Sequence, residues 1–187
     1  MGAQDSIISE VGEDEKRYLE LMKNTVQPSA RNEKLIIGYR DTLDYIHTEH
    51  ERIEVTPETI KNLHLRIHAK TTDSAGQLRQ EDNVIEREEG DVRTIVFKPS
   101  PWALVEGQIT NLCRQYNRLH RSTDTDEFLL MAGFILDFTC SHPFMDGNGR
   151  VSRLLTTLLA YKAGFDVVRY ISLERLVEDT NPDDRGC

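Results

Sequence analysis

The stretch Phe138-Thr139-Cys140-Ser141-His142-Pro143-Phe144-Met145-Asp146-Gly147-Asn148-Gly149-Arg150-Val151-Ser152-Arg153 decides how this chain is read. Its centre is polar and glycine-rich, and apolar helical patterns flank it. Upstream, about Glu127–Cys140, Phe128, Leu129, Leu130, Phe134, Ile135 and Phe138 make a helix that is apolar almost all round, which predicts a central, buried element. Downstream, Leu154, Leu155, Leu158 and Leu159 mark a second buried helix, closed near Gly164. Polar groups between two such helices need partners, and a bound ligand can supply them.

Read residue by residue, the loop describes a chemistry. Gly147 and Gly149, one residue apart, let the backbone turn tightly and come close to a ligand. The following helix starts there, so its free N–H groups attract an anion, phosphate above all. Arg150 and Arg153 are three residues apart, project from one side of that helix, and suit a polyphosphate. Asp146 is a carboxylate beside this site, the usual partner of phosphate oxygens in holding magnesium. His142 is an imidazole suited to accepting a hydroxyl proton near neutral pH, and Phe144 anchors the loop in the core. The set fits phosphoryl or nucleotidyl transfer to a hydroxyl.

Outward from the loop, helical patterns dominate. Tyr18, Leu19, Leu21 and Met22 predict a short N-terminal helix, broken at Pro28-Ser29. Leu35, Tyr39, Leu43 and Ile46 predict a second. Thr56-Pro57 starts a third as N-cap and first helical residue, with Ile60, Leu63, His64 and Ile67 on one face. From Thr71 to Ser100, glycines, charges and isolated β-branched residues read as a β-hairpin with loops. A helix follows over Trp102–Tyr116, Asp124 or Asp126 caps the next, and Ile171–Val177 reads as a last short helix before a disordered tail. The fold class is mainly α: a single helical domain with one inserted hairpin.

The 187 residues suffice for one domain with a sizeable core. With 23 Lys+Arg against 32 Asp+Glu and a formal charge of −9, the chain lacks the footprint of a nucleic-acid binder and is repelled by anionic membranes. No apolar run approaches the roughly 20 residues that span a bilayer, and the acidic N-terminus does not read as a secretory signal. Cys113 and Cys140 sit in apolar patterns as small buried hydrophobes, and a reducing, cytoplasmic setting fits best.

The loop resembles the signature of Fic-domain proteins: His, any, Phe, any, Asp or Glu, Gly-Asn-Gly-Arg, any two, Arg. Every specified position is present, and the resemblance extends from about Ala30 to Leu176. It implies a Fic domain over 30–178, with a flap at about 71–100 and the signature over 142–153. Residues 1–29 are then an N-terminal segment and 179–187 a tail.

The resemblance implies a protein adenylyltransferase that uses ATP and Mg2+. His142 takes the proton of a target Ser, Thr or Tyr hydroxyl, which attacks the α-phosphate. Asp146 holds the magnesium, and Gly147, Asn148 and Gly149 form the anion hole. Arg150 and Arg153 hold the β- and γ-phosphates. Gly149, where the related Doc kinases have Lys, favours AMP transfer over phosphorylation. The segment Gly76-Gln77-Leu78-Arg79 through Asn83-Val84-Ile85 resembles the flap that pairs with the target, so Gly76, Arg79, Val84 and Ile85 are candidate docking residues. Ser6-Ile7-Ile8-Ser9-Glu10 partly matches an inhibitory helix whose Glu pairs with the second signature Arg, although Val11 replaces Gly or Asn; Glu10 is the candidate brake. Alternatives are a de-AMPylase, a silent nucleotide-binding module, or another donor such as UTP or CDP-choline. The target is a hydroxyl-bearing protein, the chain itself included. Oligomeric state stays open, a homodimer included, as does a longer parent protein.

Other residues take plainer readings. His64 is a hydrogen-bonded core histidine, and His47, His50 and His68 lie at the surface. Trp102 is a packing anchor. The charge run Glu86–Asp91 is a solvated hairpin tip.

Overall fold

A computed structural model of the chain describes Arg17, Glu20, Leu21, Lys23 and residues 25–89, 92–120, 122 and 126–169. The expected N-terminal helix is described only at a few of its positions, and the candidate brake at Glu10, the helix over Ile171–Val177 and the tail lie outside the described residues.

Five α-helices and one hairpin make up the described fold: α1 Arg31–Glu49, α2 Pro57–His68, β1 Ile85–Glu89, β2 Val92–Phe97, α3 Trp102–Leu119, α4 Glu127–Ser141 and α5 Asn148–Lys162. A 3-10 turn over Asp166–Arg169 follows. The mainly helical fold with one inserted hairpin is as the sequence predicts. None of the described helices is long and apolar enough to cross a membrane.

Local chemistry sets the helix ends. At α2 the Thr56 hydroxyl accepts the Thr59 N–H at 3.1 Å, and Pro57 follows. At α4 the Asp126 carboxylate accepts the N–H groups of Phe128 and Leu129 at 2.9 and 3.2 Å. At α1 Glu33 reaches back to the N–H groups of Ser29 and Ala30 at 2.6 and 3.3 Å and pairs with Arg17. The Arg17 bond and the Ser29 N–H hold the Glu33 carboxyl down at about 2.

The core gathers around α5. It packs against α1, α2, α4 and the 3-10 turn, while α1 pairs with α2 and α3 with α4. Val151, Leu154, Leu155, Leu158 and Leu159 are wholly buried, so the helix that begins at the polar loop is the most enclosed element. Helix α1 approaches α2 so closely at Gly38 that a Cβ there would collide with the Ile67 carbonyl. The hairpin is antiparallel, from Ile85 opposite Phe97 to Glu89 opposite Val92, with an irregularity at Ile85/Glu86. The expected hairpin over Thr71–Ser100 is therefore strand only from Ile85, and 71–84 is connecting loop.

Helix α4 departs from its predicted burial. Phe134, Phe138 and Ser141 are buried, but Phe128, Leu129 and Leu136 are 60%, 73% and 63% exposed. Apolar composition all round a helix shows what could be buried; only neighbours on every side bury it. Here α3 and α5 cover one side. The open side borders a groove of about 810 Å³ between α3 and α4, lined by Leu112, Tyr116, Leu129, Leu130, Gly133 and Phe134 among others. Cys140 is exposed with this face, against the sequence expectation, while Cys113 is buried as expected and its thiol is pushed up to about 12. Trp102 is 47% exposed and anchors no core. Phe138→Ala is expected to destabilise the fold by about 3–5 kcal/mol and Leu136→Ala by no more than about 0.5 kcal/mol, compared by urea unfolding.

Candidate active site

The site is built where α4 stops and α5 starts. His142 follows the last residue of α4 in the left-handed conformation, φ 48° and ψ 62°, with its N–H donating to the Phe138 carbonyl at 3.0 Å. A side chain with a Cβ costs about 1–2 kcal/mol there, so surrounding bonds must hold it. The imidazole is half-buried, and its Nδ1 has no hydrogen-bond partner among the described residues. Burial lowers its pKa below 6.5; the Thr139 carbonyl pulls the other way, and the Arg79 charge lowers it further. His142 is therefore a neutral imidazole at neutral pH.

Asn148 closes the loop. Its side-chain Oδ1 accepts the Phe144 N–H at 2.9 Å, and its Nδ2 donates to the Phe144 carbonyl at 2.7 Å. The oxygen and one N–H of that amide are bonded to the Phe144 backbone, so the side chain holds the loop while the Asn148 backbone N–H faces the start of α5. Phe144 is wholly buried and stacks on His64, ring centroids 3.9 Å apart and 6° from parallel. His64 Nδ1 accepts the Gly76 N–H at 2.8 Å, which leaves its proton on Nε2, donated to the Asp146 carbonyl at 3.1 Å. Burial pulls the His64 pKa down and keeps this arrangement neutral. His68 stacks on His64 directly beneath the loop. Gly147 has φ 82°, and a Cβ there would strike His68 Nε2, so glycine is required twice over. Burial, with His64 and Arg150 beside it, holds His68 down at about 4.

The anion end lies on the outer side. Helix geometry leaves the N–H groups of Asn148, Gly149 and Arg150 without carbonyls inside α5, and a Cβ at Gly149 would meet nothing within 4 Å among the described residues. Asp146 lies between two guanidinium groups, Arg150 at 3.0 Å and Arg31 at 3.0 Å, and accepts the Gly147 N–H at 2.7 Å. Burial alone would raise the Asp146 pKa, but Arg31, Arg150 and that N–H outweigh it and lower it. Arg150 Nε is buried with no partner among the described residues. Arg153 sits one turn further along α5, half-buried.

A model of the Fic/DOC family matches residues 54–160, which include α2, the hairpin, α3, α4, the loop and most of α5. The chain belongs to the Fic/DOC family. A Fido domain-containing protein of Dictyostelium discoideum is 34% identical over 62 residues, 33% of this chain and 43% of the relative. A Fic family protein from Desulfovibrio desulfuricans superposes with a TM-score of 0.73 at 18% identity, over 97% of this chain and 52% of its own. BepC of Bartonella tribocorum, solved with AMPPNP bound, superposes with a TM-score of 0.51 at 14% identity, over 79% of this chain and 77% of its own. These two likenesses are of fold. The chain spans about half the length of the Desulfovibrio structure.

Of the signature residues expected from sequence, the fold brings His142, Asp146, Gly147, Asn148, Gly149, Arg150 and Arg153 into one loop and the first turns of α5. The four candidate flap residues do not share one role. Val84 is exposed and Ile85 opens β1. Gly76 packs under α2, with its N–H on His64. Arg79 corrects the expectation outright: its side chain has no exposure and faces the His142 loop, where it donates to the carbonyls at the end of α4. His68, expected at the surface, is buried, since the loop folds down on it. His64 is the core histidine expected, and its link to the Asp146 backbone was invisible. Arg31 was missed altogether. Its one sequence signal is a cation in the first turn of a helix, where the dipole disfavours it.

Asn148→Ala leaves a buried N–H and a buried carbonyl at Phe144 unpaired, each worth about 1–3 kcal/mol. The expected result is a clear drop in melting temperature together with faster amide exchange at Phe144.

Proposed function

We propose that this chain transfers AMP from ATP to a Ser, Thr or Tyr hydroxyl of a protein. The family is known for AMPylation-type transfer, and its proteins are generally transferases. The observation that carries the reading is one loop in which a neutral, half-buried imidazole adjoins a helix N-terminus that is open at Gly149 among the described residues and has two arginines on its first turns. BepC, which shares the fold, is solved with AMPPNP bound.

In this reading His142 takes the hydroxyl proton as the oxygen attacks the α-phosphorus. The bond from that phosphorus to the bridging oxygen breaks, and pyrophosphate leaves. The N–H groups of Asn148, Gly149 and Arg150 receive the phosphate oxygens, and Arg150 and Arg153 clamp the outer phosphates. Among the described residues no cluster of three His, Cys, Asp or Glu side chains could hold a metal. Magnesium does not need one: a single carboxylate with phosphate oxygens and water is its ordinary setting beside a nucleotide. Asp146, half-exposed at the loop, fits as that carboxylate, and the ion would neutralise charge on the phosphates. Binding would exchange the Asp146–Arg150 pair for contacts to ligand, so the pair keeps both groups oriented beforehand. Glu10 as a brake on Arg153 belongs to the same proposal.

Incubation with Mg2+ and α-labelled ATP is expected to label the chain itself or an added protein. Label that persists in His142→Ala would sink the mechanism. Because His142 is the base and its pKa is lowered, the midpoint of the loss of kcat on acidification is expected below pH 6.5. A loss of activity centred above pH 6.5 would assign the base elsewhere.

A further inference from the structure

The mechanism uses His142 but does not explain what holds it in a strained conformation. The answer lies in the connector between α2 and the hairpin. Arg79 donates from Nε to the His142 carbonyl at 2.8 Å and from Nη2 to the Ser141 carbonyl at 3.3 Å and to the Ser100 carbonyl. Its Nη1 donates to the Glu81 carbonyl at 3.0 Å. Its backbone N–H donates to the Pro143 carbonyl at 2.9 Å. Asp82 faces the guanidinium at 3.6 Å and also accepts the Trp102 N–H at 2.7 Å, which caps α3.

One buried side chain thus joins three segments: the end of α4, the entry to α3, and the approach to the hairpin. The carbonyls it takes at Ser141 and His142 belong to the C-terminal end of α4, where helix geometry leaves carbonyls without partners and the dipole favours a cation. The planar guanidinium offers five N–H donors in fixed directions. A lysine would bring the charge but only a compact ammonium on a flexible stem.

We propose that Arg79 is a positioning residue for the transfer reaction: by binding the Ser141 and His142 carbonyls it fixes His142 in the left-handed conformation that aims its imidazole at the acceptor hydroxyl. This rests on the reading of His142 as the base. The same bonds tie the approach to the hairpin to the base, so a protein segment docked on the hairpin is placed in register with His142 through one side chain. A purely structural Arg79 would instead lower stability and leave the folded fraction fully active.

The test is Arg79→Lys in the full chain, with folding verified by urea unfolding. Initial rates of AMP incorporation into the chain itself are measured against ATP concentration. The expected result is a fall in kcat of about 10- to 100-fold, with KM for ATP within about two-fold of the original. A second readout needs no turnover: the Cα shift and the backbone coupling of His142, by NMR, report whether its φ is positive. The proposal expects that signature to be lost in Arg79→Lys. A folded Arg79→Lys protein with unchanged kcat, or with the left-handed signature intact, would overturn it. Should Arg79→Lys fail to fold, Asp82→Asn keeps the cap on α3 and removes the charge that steers Arg79. A weaker change of the same kind supports the proposal, and signals and kcat equal to the original overturn it. An original protein that transfers no AMP counts against the proposed function, while the His142 signals still decide the role of Arg79.

Discussion

Two helix ends face each other across the segment His142 to Gly147, and their unpaired backbone groups are of opposite kind. The end of α4 presents carbonyls and the start of α5 presents N–H groups. The protein treats them differently. The carbonyl end is filled from within by the guanidinium of Arg79. The N–H end, around Gly149, is left open among the described residues. Asn148 makes this asymmetry hold, because its side chain locks the Phe144 backbone and so fixes the path between the two helices. A polar junction satisfied on one side and open on the other is prepared for an anion.

The burial of α5 gives that junction its rigidity. Its inner face is in contact with α1, α2 and α4, so groups on its first turns are set by the core rather than by a mobile loop. The same packing brings distant residues to the site. Arg31 arrives from the start of α1 and meets Asp146. His64 and His68 arrive from α2 and form a stacked floor under Phe144 and Gly147. Burial keeps both histidines neutral below their ordinary range, so the floor adds no positive charge of its own near neutral pH. Of the charges at the site, Arg31 and Arg150 each pair with Asp146, where a ligand can exchange them.

The sequence alone made the chemical inventory of the loop legible, because its residues are contiguous and each type has a narrow repertoire: glycine for a positive φ, arginine for phosphate, histidine for proton transfer. It also made the helices legible, since apolar periodicity and the Thr56 and Asp126 caps are local signals. Tertiary structure decided which faces those helices bury. Helix α4 is apolar all round, yet α3 and α5 cover one side of it, and Leu129, Leu136 and Cys140 stay exposed. It decided, too, that Arg79 turns inward to bare carbonyls rather than outward to a target, that His68 is buried, and that Arg31 reaches Asp146. Each of these depends on a neighbour far away in sequence, and a one-dimensional pattern contains periodicity and residue type but not the identity of what lies across the contact.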